Sequence, residues 1–141
     1  MIGVVVVSHS AKAAEGICEI AAQMSGDVPV VAAGGDPIDA AGDDTDNSDG
    51  DTDAEIGTST DRIRAALVEA DSGDGVVVLV DLGSAVMNAE LAIEMAGVDA
   101  VIADAPVLEG TLNAAVEAAN ATTVETVVEK AVEAREYRKL G

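Results

Sequence analysis

Residues 2–16, "IGVVVVSHSAKAAEG", decide the fold. Six apolar or glycine positions run unbroken into Ser8-His9-Ser10, and His9 is the only histidine of the chain. A Val-rich run without polar alternation predicts a strand buried on both faces, as in a parallel sheet. Beyond the polar turn, Ala14, Ile17, Cys18, Ala21 and Met24 recur at helical spacing, which predicts a helix over 11–24 with Glu15, Glu19 and Gln23 largely opposite. The stretch reads strand, polar turn, helix, and its turn carries the single imidazole.

The same order repeats downstream. "VPVVAA" (28–33) predicts a second strand, closed by Gly34-Gly35-Asp36-Pro37. Residues 36–55 hold nine acidic residues and little sequence variety, and read as a solvated acidic loop. "GTSTDRIRAALVEA" (57–70) predicts a helix with Thr58 or Ser59 as N-cap and an apolar stripe of Ile63, Ala66, Leu67 and Ala70. "GVVVLV" (75–80) predicts a third buried strand, followed by a tight turn and a helix over about 84–96. "DAVIAD" (99–104) predicts a fourth. After Pro106, two helices are expected near 108–121 and 123–138, with Thr122-x-x-Glu125 as a capping box for the last. Strands that alternate with helices predict an α/β fold: an open, mainly parallel four-stranded sheet with helices on both faces, in one domain spanning 1–141.

Composition narrows the function. Twenty-seven acidic residues against seven basic ones give a net charge of −20, and no Lys or Arg occurs between Lys12 and Arg62. Nucleic acids and anionic membranes need a basic footprint, so neither is an expected partner. The acidity also decorates the predicted helices, which argues against a local acidic tail and for a halophile's solvation strategy. At molar salt the screening length shrinks to roughly 3 Å, which removes most of the self-repulsion. No apolar run approaches the roughly 20 residues of a membrane span. The N-terminus lacks the basic region of a secretory signal, and Cys18 has no second cysteine to pair with. A cytoplasmic location is the expectation.

In open α/β sheets, ligands bind beyond the carboxyl ends of the strands at a topological switch point. The first and third strand ends carry reactive groups, Ser8-His9-Ser10 and Asp81-Leu82-Gly83-Ser84, each followed at once by a helix. Were those strands adjacent, His9 and Asp81 would be neighbours. A neutral imidazole can attack phosphorus with one ring nitrogen while the other donates its N–H to a carboxylate. Helix-start amides at Gly83-Ser84 and the hydroxyls of Ser8, Ser10 and Ser84 would then serve the transferred group. An ordinary structural histidine is the competing reading. No G-x-S-x-G elbow and no P-loop occurs, and one histidine without a second strong ligand nearby predicts no metal. Residues 45–56, "TDNSDGDTDAEI", place a glycine as a calcium loop does but lack its first Asp and its last Glu.

"GVVVVSHS" followed by "AEG", then "EIGTSTDRI", "VVLVDLGSAVMNAELA" and "APVLEGTLNAAVEA" resemble, in that order, the phosphotransferase subunit of the phosphoenolpyruvate-dependent dihydroxyacetone kinase, whose domain groups with mannose-type enzyme IIA domains. The resemblance covers essentially the whole chain, although the loop at 36–55 is longer and more acidic than the family needs. It implies that His9 takes a phosphoryl group from the histidine-containing phosphocarrier protein; with Nδ1–H held by Asp81, Nε2 is the nitrogen expected to carry it. It further implies transfer to ADP on the kinase's ATP-type subunit, which phosphorylates dihydroxyacetone held by a third subunit. Asp81 would orient the imidazole, Ser10, Gly83 and Ser84 would bind the phosphoryl group, and Ser8, Thr58 and Ser59 would line the active edge. A homodimer and a chain without a bound cofactor are implied as well. An enzyme IIA for a mannose-type sugar permease and a non-catalytic regulatory module are the alternatives.

Overall fold

The computed structural model of the chain describes residues 1–37, 54–120 and 122–141. Four strands, β1 (Gly3–Ser8), β2 (Val30–Gly34), β5 (Val76–Val80) and β6 (Ala100–Ile102), form one sheet in the order β2-β1-β5-β6, every pair parallel. Between them run helices α1 (Ala11–Ala21), α2 (Thr60–Ala70) and α3 (Val86–Ala96), and α4 (Val107–Ala118) and α5 (Val124–Glu133) complete the chain. The remaining pair, β3 (Asp36–Pro37) and β4 (Ala54–Glu55), is a two-residue antiparallel stem. Both of its legs fall inside the segment 36–55, which the sequence predicts to be an unstructured acidic loop.

From β1 the chain steps outward to β2 and then returns across β1 to β5. Right-handed crossovers in opposite directions place their helices on opposite faces of the sheet. Accordingly α2 and α3 cover one face, while α1, α4 and α5 cover the other. Strand β1 supplies both cores: Val5 and Val7 pack with Ile63, Leu67 and Ala92, and Val4 packs with Leu79, Ala114 and Val127. Val4 to Val7 and Val76 to Leu79 have no exposed surface, which is why both strands read as uninterrupted apolar runs. Burying each such valine contributes about 1.5–3 kcal/mol, so a charged residue at Val5 would break the sheet at its centre. Among the described residues no helix is long and apolar enough to cross a membrane.

The end of β1 is held tightly. A Cβ at Gly34 would meet the Ser10 carbonyl oxygen at 2.5 Å and Ala11 Cα at 2.7 Å, so only glycine lets β2 lie against the start of α1. The β3–β4 stem is anchored at both feet: Gly35 N–H donates to the Ser8 carbonyl (3.1 Å) and Gly57 N–H to the His9 carbonyl (2.8 Å). Gly35 turns there with φ of +75°, where glycine is favoured. The rest of the acidic segment, and with it nearly all of the calcium-loop candidate, lies outside the described residues.

Several local expectations need correction. Helix α1 ends at Ala21, and Met24 is exposed instead of extending the apolar stripe. The last helix is capped by Thr123, whose hydroxyl accepts from Thr126 N–H at 3.1 Å. Thr122, the expected cap, instead donates its hydroxyl to Glu117 at the end of α4 (3.0 Å), and α5 stops at Glu133 with a 3-10 turn beyond it. For α2, Ser59 and not Thr58 is the cap.

Candidate active site

Strands β1 and β5 are neighbours in register Val7 to Val80, and Asp81 N–H donates to the Val7 carbonyl at 3.0 Å. Ser8 and Asp81 therefore emerge side by side at the point where the winding of the sheet reverses. His9 follows one residue later. Its ring and backbone close on the same carboxylate: Nδ1 lies 3.0 Å from Asp81 Oδ1, and the His9 backbone N–H donates to Oδ2 at 2.9 Å. The Ser8 hydroxyl donates to Oδ2 as well, at 3.0 Å.

A carboxylate only accepts, so this geometry fixes the neutral imidazole as its Nδ1–H tautomer and leaves a lone pair on Nε2. Burial is the strongest influence on Asp81 and raises its pKa. The His9 backbone N–H, the His9 ring and the Ser8 hydroxyl together outweigh it and hold the carboxyl below the usual carboxylate range. The His9 and Asp81 side chains each keep about a fifth of their surface open, 22% and 21%. Ser8 is buried, and its oxygen also accepts the Ser10 N–H at 3.0 Å, so it buttresses the carboxylate from within.

On the other side of the ring, Ser84 Oγ lies 2.9 Å from Nε2 and, given the tautomer, donates to it. Ser84 belongs to a 3-10 turn, Gly83–Ala85, that runs directly into α3. The opening turn of a helix leaves its first N–H groups without intrahelical partners, and its dipole favours an anion there. A cleft of about 400 Å³ opens beside this turn between Asp81, Leu82, Gly83, Glu90 and Asp104. The larger cavity, about 770 Å³, lies among Ile2, Asp74, Asp99 and Val124 and contains none of these groups.

The residues singled out from sequence separate into two sets. His9, Asp81, Ser8 and Ser84 share one hydrogen-bonded cluster, with Gly83 in the adjoining turn. Ser10, Thr58 and Ser59 stand beside it with their hydroxyls engaged elsewhere. Ser10 caps α1 through Ala13 N–H (3.1 Å), and Ser59 caps α2 through Arg62 N–H (3.2 Å). Thr58 accepts from the Asn88 side-chain amide at 2.7 Å. Sequence reasoning missed Gly57, which binds the His9 carbonyl, and Asn88. The only trace of Asn88 in the sequence is a polar residue four positions after Ser84, on the same helical face.

Comparison with known proteins places this geometry in a family context. The family model EIIA-man, described as PTS system fructose IIA component, matches residues 3–128. A phosphoryl donor subunit DhaM of a PEP-dependent dihydroxyacetone kinase from Klebsiella michiganensis is 34% identical over 99% of this chain. Its counterpart from Pantoea ananatis is 38% identical over 95%. The chain spans only 28% and 27% of the length of these two relatives. A DhaM subunit from Listeria innocua is 33% identical, over 87% of this chain and 94% of its own. Among solved structures, one described as the unknown-function protein EF1359 superposes with a TM-score of 0.76 at 26% identity, covering 99% of this chain and 98% of that one.

Proposed function

The chain belongs to the EIIA-man family and, within it, to the DhaM phosphotransferase subunits, and on that premise we propose that it carries a phosphoryl group covalently on Nε2 of His9. The donor is the phosphohistidine of the histidine-containing phosphocarrier protein, and the acceptor is ADP on the ATP-type subunit of the dihydroxyacetone kinase. The observation that carries this reading is the bond between His9 Nδ1 and Asp81 Oδ1, which leaves Nε2 as the nucleophile.

In the charging step the P–N bond of the donor breaks as the Nε2 lone pair forms a new one. Nδ1 keeps its proton throughout, and Asp81 offsets the positive charge that grows on the ring. Ser84 releases Nε2 and turns its hydroxyl to a phosphoryl oxygen. The N–H groups that open the turn at Gly83 and Ser84 receive the others, as helix starts do for phosphate. In the discharging step that P–N bond breaks, an oxygen of the ADP β-phosphate takes the phosphoryl group, and His9 returns to the neutral Nδ1–H form. A loose, highly charged transition state asks the protein for positioning and charge stabilisation, which is what these residues supply. Ser10 contributes as the cap that sets the first turn of α1 against the site.

The same reading takes residues 1–141 as one IIA-like domain that works in the cytoplasm, without a resident metal or cofactor, as a homodimer in the glycerol-to-dihydroxyacetone branch of metabolism. The acidic surface suits it to a salt-rich cell. Phosphoenolpyruvate, enzyme I and labelled phosphocarrier in high salt test the proposal, followed by kinase subunit with ADP. Label on wild type, none on His9→Ala, and subsequent appearance as ATP are expected. Label that never reaches wild type refutes carriage at His9, and label that stays on the protein refutes the kinase branch.

A further inference from the structure

Three separate segments meet at His9: the end of β1, the turn at 81–85, and the strap Gly57-Thr58-Ser59 that leads into α2. The strap is hydrogen-bonded to His9 through its backbone, at the Gly57 N–H bond to the His9 carbonyl (2.8 Å). One side chain, Asn88, ties the strap to the helix that follows the second segment, α3. The Asn88 amide donates to Thr58 Oγ1 at 2.7 Å and reaches the Thr58 carbonyl oxygen at 3.5 Å. Asn88 stands four residues after Ser84 on α3, one helical turn away, so a displacement of the strap is felt by the helix that presents Ser84. Neither Asn88 nor Thr58 is hydrogen-bonded to the imidazole.

We infer that Asn88 is a positioning residue for transfer at His9, acting through Thr58 and Gly57 to keep the His9 peptide fixed while its ring changes partners. The inference rests on the phosphoryl-carrier reading above. When Ser84 releases Nε2, the ring keeps one side-chain partner, Asp81, and its backbone becomes the remaining constraint on where Nε2 points. The Gly57 N–H supplies that constraint at the carbonyl, and Asn88 holds Gly57 in place through its neighbour Thr58. A neutral side-chain bond of this kind is worth a rate factor of roughly three to ten when it acts on the transition state alone.

The test is a double-mutant cycle with Asn88→Ala and Thr58→Val, read by phosphoryl transfer from labelled phosphocarrier and by amide hydrogen exchange at Gly57. Each single variant should lower kcat roughly three- to tenfold with the KM for phosphocarrier little changed. The double variant should be no slower than the worse single one, and Gly57 exchange should quicken in all three. Asn88→Asp, which keeps the side-chain volume and can accept the Thr58 hydroxyl proton, should restore most of kcat. Additive losses, a change confined to KM, or Gly57 protection equal to wild type would overturn the inference. Should wild type fail to accept label, the carrier reading falls, and Gly57 exchange in Asn88→Ala still decides whether Asn88 holds the strap.

Discussion

Replacing Asp81 by asparagine tests the site at its centre, because the two side chains match in size and differ in one hydrogen-bonding property. The carboxylate accepts three bonds: the His9 ring at Oδ1, and the His9 N–H with the Ser8 hydroxyl at Oδ2. An amide offers one acceptor and one donor end. With its oxygen toward the His9 ring, its NH2 group faces the His9 backbone N–H, and that donor cannot turn away. Leaving a part-buried N–H unpaired costs about 1–3 kcal/mol. With its oxygen toward the backbone N–H, the NH2 group faces Nδ1, and the ring must move its proton to Nε2, the nitrogen that attacks in the proposed transfer. The second arrangement is therefore favoured by about 1–3 kcal/mol, and the competent tautomer falls to roughly one part in five to one in 150. Loss of the ion-strengthened bond to the charging ring adds to this. Rapid-quench transfer from labelled phosphocarrier should thus slow by about one to two orders of magnitude in Asp81→Asn, with the fold retained. Nitrogen-15 spectra of the ring should show the proton moving from Nδ1 to Nε2. An unchanged rate, or a proton that stays on Nδ1 in the variant, would refute the reasoning.

Three further outcomes follow from the same structure. The Asp81 carboxyl titrates lower in the folded chain than the roughly 3.9 of an unfolded one, so the unfolded state binds the extra proton between the two values and the stabilisation is complete above about pH 5. The melting-temperature gap between wild type and Asp81→Asn should therefore be widest above about pH 5 and shrink as pH falls through the folded value; a gap that grows in acid would contradict it. With a net charge of −20, raising KCl from about 0.1 to about 3 M should raise the melting temperature by about 10 °C or more, and a salt-independent melt would remove the halophile reading. Burial, with Glu15 beside it, pushes the Cys18 thiol up to about 11, so thiol reagents at pH 8 should label it on the order of a hundredfold more slowly than a free cysteine.

The sequence was most legible where burial leaves one solution. Val4–Val7 and Val76–Leu79 could only be strands covered on both faces, and the polar residues behind them could only lie at the sheet edge. The meeting of His9 with Asp81 rests on one further step, since spacing does not state that β1 and β5 are adjacent; fold type suggests it, and the strand order β2-β1-β5-β6 shows it. What escaped reading was decided by contacts between distant segments. Thr122 reads as a cap until Glu117 from the preceding helix takes its hydroxyl, and Ser10 reads as a site hydroxyl although it is spent on the helix it begins. The two-residue stem β3–β4 is too short to leave a periodic signal. Gly57 acts through its backbone alone, and Asn88 through a residue thirty positions away, so neither marks the local pattern.

That stem has a consequence for how the protein can be altered. Its two feet are fastened to the consecutive carbonyls of Ser8 and His9, so Pro37 and Ala54 are held side by side at the edge of the candidate site. Doubling a loop that is already closed in this way costs only about 0.6 kcal/mol. The stem is thus a splice port: a domain inserted between its two strands would join the chain beyond two points already fastened to the main chain beside His9, and should leave the His9–Asp81 bond unchanged.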